Sequence, residues 1–139
     1  MPSITRPVAA RPYSDGSDRE GAHAPHYLVV EAVSQVWEEV LLGLGDDVLP
    51  PRHLAVVRVA VDYRHEVFVA PGTFEVDVVR IGRTSLELAV RLHQGGRPVV
   101  DAQVVLAQVD ADRTAARPLS DRQRAALQTI AVPQATATS

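Results

Sequence analysis

Five side chains gathered ahead of and inside one apolar helix have the types that acid–base chemistry requires. Asp15 and Asp18 stand in SDGSDREGAHAP, residues 14–25, whose clustered Gly, Ser, Asp and Pro give it loop composition. His23 and His26 follow three residues apart on either side of Pro25, and Glu31 falls in the first turns of the helix. A positioned carboxylate can take a proton from water or attack a carbonyl carbon directly. An imidazole can position a substrate or donate to it. Each residue also has an ordinary reading: a loop Asp forms an Asx turn, loop imidazoles are simply hydrated, and a Glu near a helix start favours the positive end of the dipole. The His-x-x-His spacing beside two Asp residues is a weak metal signature, and no metal is expected. Ser14, Ser17 and Ser85 lack a nucleophile elbow, and there is no glycine-rich phosphate loop.

These groups need elements to hold them. The stretch YLVVEAVSQVWEEVLLGL, running to about Leu44, repeats Val29, Val33, Val36, Val40 and Leu44 at helical spacing, with Val30, Trp37 and Leu41 widening the face. More than half of its circumference is apolar, which predicts a long and mostly buried helix. Pro25 suits its first turn, and Gly43 and Gly45 end it. Four strands follow as HLAVVRVAVDY, TFEVDVVRI, TSLELAVRL and PVVDAQVVLAQV. Leu86, Leu88, Val90 and Leu92 alternate with Glu87, Ala89 and Arg91, the period of a half-buried strand. Ala70-Pro71-Gly72, Gly82-Arg83-Thr84 and Gln94-Gly95-Gly96 are the turns.

The N-terminus, residues 1–13, reads as a tail or as a first edge strand, ITRPVAARPY, where its prolines are tolerated. One domain spans 14–119, a short helix over 120–132 has Ser120 as N-cap, and 133–139 reads as a disordered tail. Five strands leave open edges, and open edges invite a second chain. A homodimer or homotetramer is therefore expected, one arrangement being a single sheet that continues across two subunits.

Composition narrows the function classes. The chain has 139 residues, enough for one domain with a real core. A net charge of -3 excludes a broadly basic nucleic-acid footprint, even though all fourteen basic residues are Arg. The absence of Cys excludes disulfides, thiolate metal sites and a thiol nucleophile. No apolar run approaches the roughly 18 residues that span a bilayer. The start, MPSITRPVAARPY, lacks the apolar core of a signal peptide, so a cytoplasmic protein is expected.

Helix, loop and strands in this order resemble the hotdog fold, and the 4-hydroxybenzoyl-CoA thioesterase-like branch in particular. The resemblance covers roughly residues 11–119. Its marks are Asp62-Tyr63-Arg64 before a turn, Pro71-Gly72 before a strand, Ile81-Gly82-Arg83-Thr84-Ser85-Leu86 at a hairpin, and Val109-Asp110 followed by Arg117-Pro118-Leu119. It implies an α+β fold, with a curved antiparallel five-stranded sheet around a long central helix. It also implies an acyl-CoA or acyl carrier protein thioesterase that uses no cofactor. The family's Asp-x-Asp-x-x-Gly-His-type loop corresponds to residues 14–23. Counting back from Tyr27 without gaps puts Ser17 in the catalytic position. A one-residue shift puts Asp18 there, with Gly21 three residues on, and Asp18 is preferred because Ser lacks a carboxylate's basicity.

The resemblance implies Asp18 as base or nucleophile, with Glu31, His23 and Asp15 as further catalytic candidates. His26, Tyr27 and Leu28, at the start of the helix, would supply oxyanion donors or touch the substrate. Arg83, Thr84 and Ser85 would bind CoA, Arg being suited to phosphate. A rival likeness is to hotdog dehydratases of 3-hydroxyacyl thioesters, through Glu31-Ala32-Val33-Ser34-Gln35 with His23 as partner. The third reading is a non-catalytic acyl-thioester-binding protein. Tyr63 and Trp37 are expected in the core or at an interface.

Overall fold

Alternating apolar residues build the sheet. Leu86, Leu88, Val90 and Leu92 are all at most 1 % exposed, while the residues between them are only half-buried. The computed structural model describes residues 2–8 and 22–132. Asp15, Asp18, Ser14, Ser17 and the tail at 133–139 lie outside them.

The elements run β1 (Ser3–Pro7), α1 (His26–Leu42), a 3-10 turn (Pro51–His53), β2 (Leu54–Tyr63), β3 (Pro71–Ile81), β4 (Ser85–Gln94), β5 (Arg97–Gln108) and α2 (Asp121–Gln128). The five strands form one sheet in the order β1-β3-β4-β5-β2, antiparallel at every pairing. Register stacks Val78, Leu88 and Val104 across the sheet, and likewise Phe74, Leu92 and Val100. These side chains share one core cluster with Val29, Val33, Val36, Trp37 and Val40 of α1. The architecture is thus α+β, a five-stranded antiparallel sheet with a helix buried against one face.

At the N-terminus, Ser3–Pro7 forms the edge strand β1. β1 pairs with β3, its Pro7 sits at the strand end, and the Val8 N–H reaches the Ala70 carbonyl at 3.0 Å. The helix is shorter than the sequence suggests, at 17 residues. Its apolar spacing continues to Leu44, but Gly43 and Gly45 carry little helix propensity. The Gly43 N–H still closes on Glu39, and Gly45 then turns the chain at φ 127°, a backbone region open chiefly to glycine.

The two ends of the sheet differ. At one end, Ser120 and Gln123 form a reciprocal capping box that starts α2. Gln123 Nε2 donates to the Val48 carbonyl at 2.9 Å and to Gln108 Oε1 at 2.5 Å. Arg124 donates to the Gly82 carbonyl at 2.7 Å. Leu127 is completely buried. These contacts close the end where α1 finishes. At the other end β2 and β4 finish, β3 and β5 begin, and α1 starts.

Candidate active site

His26 is the first residue of α1, following Pro25 in extended conformation. Helix starts leave backbone N–H groups without intrahelical acceptors and carry the positive end of the macrodipole. Tyr63 ends β2, and its hydroxyl is hydrogen-bonded to His26 Nδ1, with the ring centroids 5.6 Å apart. Past Tyr63 the chain turns through Arg64, His65 and Glu66. Both Arg64 and His65 N–H groups donate to the Val99 carbonyl, at 2.8 and 3.4 Å. Arg64 Nε also reaches Asp101 Oδ2 at 2.5 Å, which fixes the guanidinium.

These residues enclose a cavity of about 560 Å³ lined by Ala24, His26, Tyr63, Arg64, His65, Glu66 and Val67. Glu66 also borders a second cavity of about 450 Å³, which Phe68, Pro71, Gln94, Arg97 and Val99 help to line. His23 Nδ1 lies 2.6 Å from Glu66 Oε2, and its ring is 5.0 Å from that of Phe68. Gln94 clamps the loop between the cavities, accepting from the Phe68 N–H at 3.0 Å and donating to its carbonyl at 2.9 Å. Partial burial pushes the Tyr63 phenol above its ordinary pKa, so it stays protonated as a donor.

The residues singled out in the sequence separate into three places. His26 lines the larger cavity, and His23 stands behind the cavities, in contact with Glu66 and Phe68 of their walls. Asp18 and Asp15 lie outside the described residues, in the segment leading to His23. Tyr27, 45 % exposed, is the second helical residue, whereas Leu28 is buried and its N–H is engaged with the Pro25 carbonyl at 3.0 Å. Glu31 is half-buried in the second turn and is not among the residues lining the larger cavity. Arg83, Thr84 and Ser85 are at the opposite end of β3 and β4, where the Arg83 carbonyl accepts from Leu119 N–H at 2.9 Å. Among the described residues, no group of three or more His, Asp or Glu is placed to hold a metal.

Sequence reasoning used Arg64 only as a mark of the resemblance, passed over His65 and Glu66, and expected Tyr63 in the core or at an interface. Tyr63 is 45 % exposed because β2 is an edge strand and it stands at its end. A signal was present: three consecutive ionisable residues after an apolar strand mark a loop that must face solvent or a site.

A family model described as acyl-CoA thioesterase N-terminal domain matches residues 25–107. No curated protein matches the chain. Among solved structures, a predicted thioesterase from Bacillus stearothermophilus superposes with TM-score 0.75 at 22 % identity, covering 94 % of this chain and 98 % of that one. A thioesterase from Thermus thermophilus, complexed with coenzyme A and Zn, gives TM-score 0.74 at 20 % identity, covering 91 % and 92 %. A gentisyl-coenzyme A thioesterase gives TM-score 0.70 at 13 % identity, covering 91 % and 99 %. At these identities the structures establish a shared fold.

Proposed function

The chain belongs to the acyl-CoA thioesterase N-terminal domain family, and we propose that it hydrolyses an acyl-CoA thioester at the start of α1. Acyl carrier protein is the alternative thiol carrier. The observation behind this reading is the polar cavity at the helix N-terminus, where His26, Tyr63 and Glu66 meet. Water adds to the thioester carbonyl while Asp18 accepts its proton. Negative charge then collects on the carbonyl oxygen, where the helix dipole and the first N–H groups stabilise it. Collapse of the tetrahedral species breaks the carbon–sulfur bond, and the proton held by Asp18 passes to the departing sulfur, leaving free acid and CoA thiol. Asp15 and Glu31 are the reserve carboxylates. His23 is bonded to Glu66 and so holds a residue of the cavity wall.

The phosphates of CoA fit this scheme best at the cavity rim, beside Arg64 and Arg97. A contact with Arg83, Thr84 and Ser85 requires a substrate that reaches the far end of the sheet, as from a neighbouring subunit. The exposed apolar residues Val56, Val57 and Val59 lie on β2, which pairs with β5 along one edge only among the described residues. This supports a homodimer or homotetramer joined at that edge. A cytoplasmic location fits a substrate of this class.

The test is thiol release, followed colorimetrically, across acyl-CoAs from acetyl to palmitoyl together with benzoyl and phenylacetyl. The protein contains no Cys and adds no background of its own. Release on part of the panel supports the reading. Silence throughout, with dehydration of a 3-hydroxyacyl thioester instead, moves the protein to the dehydratase class.

A further inference from the structure

We propose that Tyr63 is a positioning residue that holds His26 as the neutral Nε2–H tautomer, so that His26 donates a hydrogen bond to the thioester carbonyl. The inference rests on the thioesterase reading above and adds a side-chain donor to the backbone N–H groups of α1.

The argument begins with which atom donates. A phenol is a good donor and a poor acceptor, and an unprotonated imidazole nitrogen is a good acceptor. The stronger arrangement across the Tyr63–His26 contact is therefore O–H to Nδ1. With Nδ1 accepting, a neutral ring must carry its proton on Nε2, because the hydrogen bond made by one ring nitrogen decides the state of the other. Tyr63 is suited to the task, since partial burial keeps its proton on to higher pH.

Placement supplies the rest. His26 lines the larger cavity, and it opens the helix whose positive end faces developing negative charge. A fixed neutral donor aimed where charge collects needs no reorganisation during the reaction. Tyr63 belongs to a different element, the end of β2, so the pair also pins the helix start to the sheet edge. Two neighbouring ionisable groups are engaged elsewhere: Arg64 with Asp101 at 2.5 Å, and Glu66 with His23 at 2.6 Å. Among the described residues, the Tyr63 hydroxyl is the group that meets His26 Nδ1, which makes it the one placed to set the His26 tautomer.

The experiment combines ring ¹⁵N–¹H spectra with steady-state kinetics on the full chain at mildly alkaline pH. His26→Gln identifies the His26 signals by their loss. The wild type is expected to show His26 as a single Nε2–H tautomer, and Tyr63→Phe, which keeps the ring, to show a mixture. Turnover of the best acyl-CoA is expected to fall about tenfold in Tyr63→Phe and about a hundredfold in His26→Gln, with KM within about twofold in both. An Nδ1–H tautomer in the wild type, or Tyr63→Phe with unchanged tautomer and kcat, overturns the proposal. A rise in KM alone overturns the donor role, since it marks uniform binding. A wild type inert on every acyl-CoA removes the thioesterase reading and the donor role with it. The spectra in that case still report the tautomer, which separates the two failures.

Discussion

At the scale of single residues, a carboxylate-bearing stretch of sequence precedes the helix start. If Asp18 takes the proton from water, Asp18→Asn should lower kcat by at least about a hundredfold, the range for loss of a general base. Asp15→Asn should retain most of the activity, and thiol release on the same acyl-CoA compares the two. Unchanged turnover in Asp18→Asn would sink that assignment and move attention to Glu31. Another carboxylate makes a purely structural prediction. The Thr114 N–H, at 2.9 Å, is the main cause holding the Asp110 carboxyl below the ordinary range; partial burial opposes it, and backbone hydrogen bonds from Ala115 and Arg113 and the Thr114 hydroxyl assist. A lowered folded pKa stabilises the fold above the unfolded carboxylate's pKa, and that stability is lost as pH falls through the folded value. Asp110→Asn should therefore unfold at lower urea than the wild type at pH 7. The gap should close on acidification below about pH 4. A gap that widens in acid would contradict this origin.

At the scale of elements, the fold depends on the shared apolar stripe of α1, β3, β4 and β5 and on the docking of α2. Leu88 sits at the centre of the stripe with no exposed surface, between Val78 and Val104. Leu88→Ala should cost about 2–5 kcal/mol, the range for a buried Leu replaced by Ala, measured by chemical denaturation. The helix α2 matters through its start. Ser120 accepts from the Gln123 N–H at 3.1 Å, while the Gln123 side chain accepts from the Ser120 N–H at 2.9 Å. Ser120→Ala should cost about 1 kcal/mol. Calorimetry showing no change in Tm would mean that the packing of Leu127 and the Gln123 and Arg124 contacts hold the helix without the cap.

At the scale of the whole molecule, β2 is an apolar edge. Val56, Val57 and Val59 are 54 %, 63 % and 40 % exposed, and a bulge between Val56 and Arg58 interrupts the pairing of β2 with β5. Edges with this character are ordinarily covered. Sedimentation velocity of the wild type should show a dimer or tetramer, and Val59→Arg should shift it towards monomer. A monomeric wild type at micromolar concentration would contradict the oligomer reading. If the edge joins two copies, Tyr63 lies at the end of the strand that joins them, and Val59→Arg should lower turnover as well as assembly. None of the described helices is long and apolar enough to cross a membrane.

Local physics wrote much of this into the chain. The alternation in β4, the glycine turns and the apolar face around Val33 and Val36 each depend on neighbours a few residues away, so the sequence alone determines the strands and the buried helix. The Gly43 stop was also visible, although the apolar spacing ran past it. Tertiary structure decided which distant residues meet. Nothing local says that Tyr63 reaches His26, or that Glu66 reaches His23, because both contacts depend on α1 and β2 being brought to the same end of the sheet. The same placement carries Arg83 to the opposite end, although the family resemblance implied a CoA contact there. Register and strand order fix these distances, and they arise only when the whole core closes.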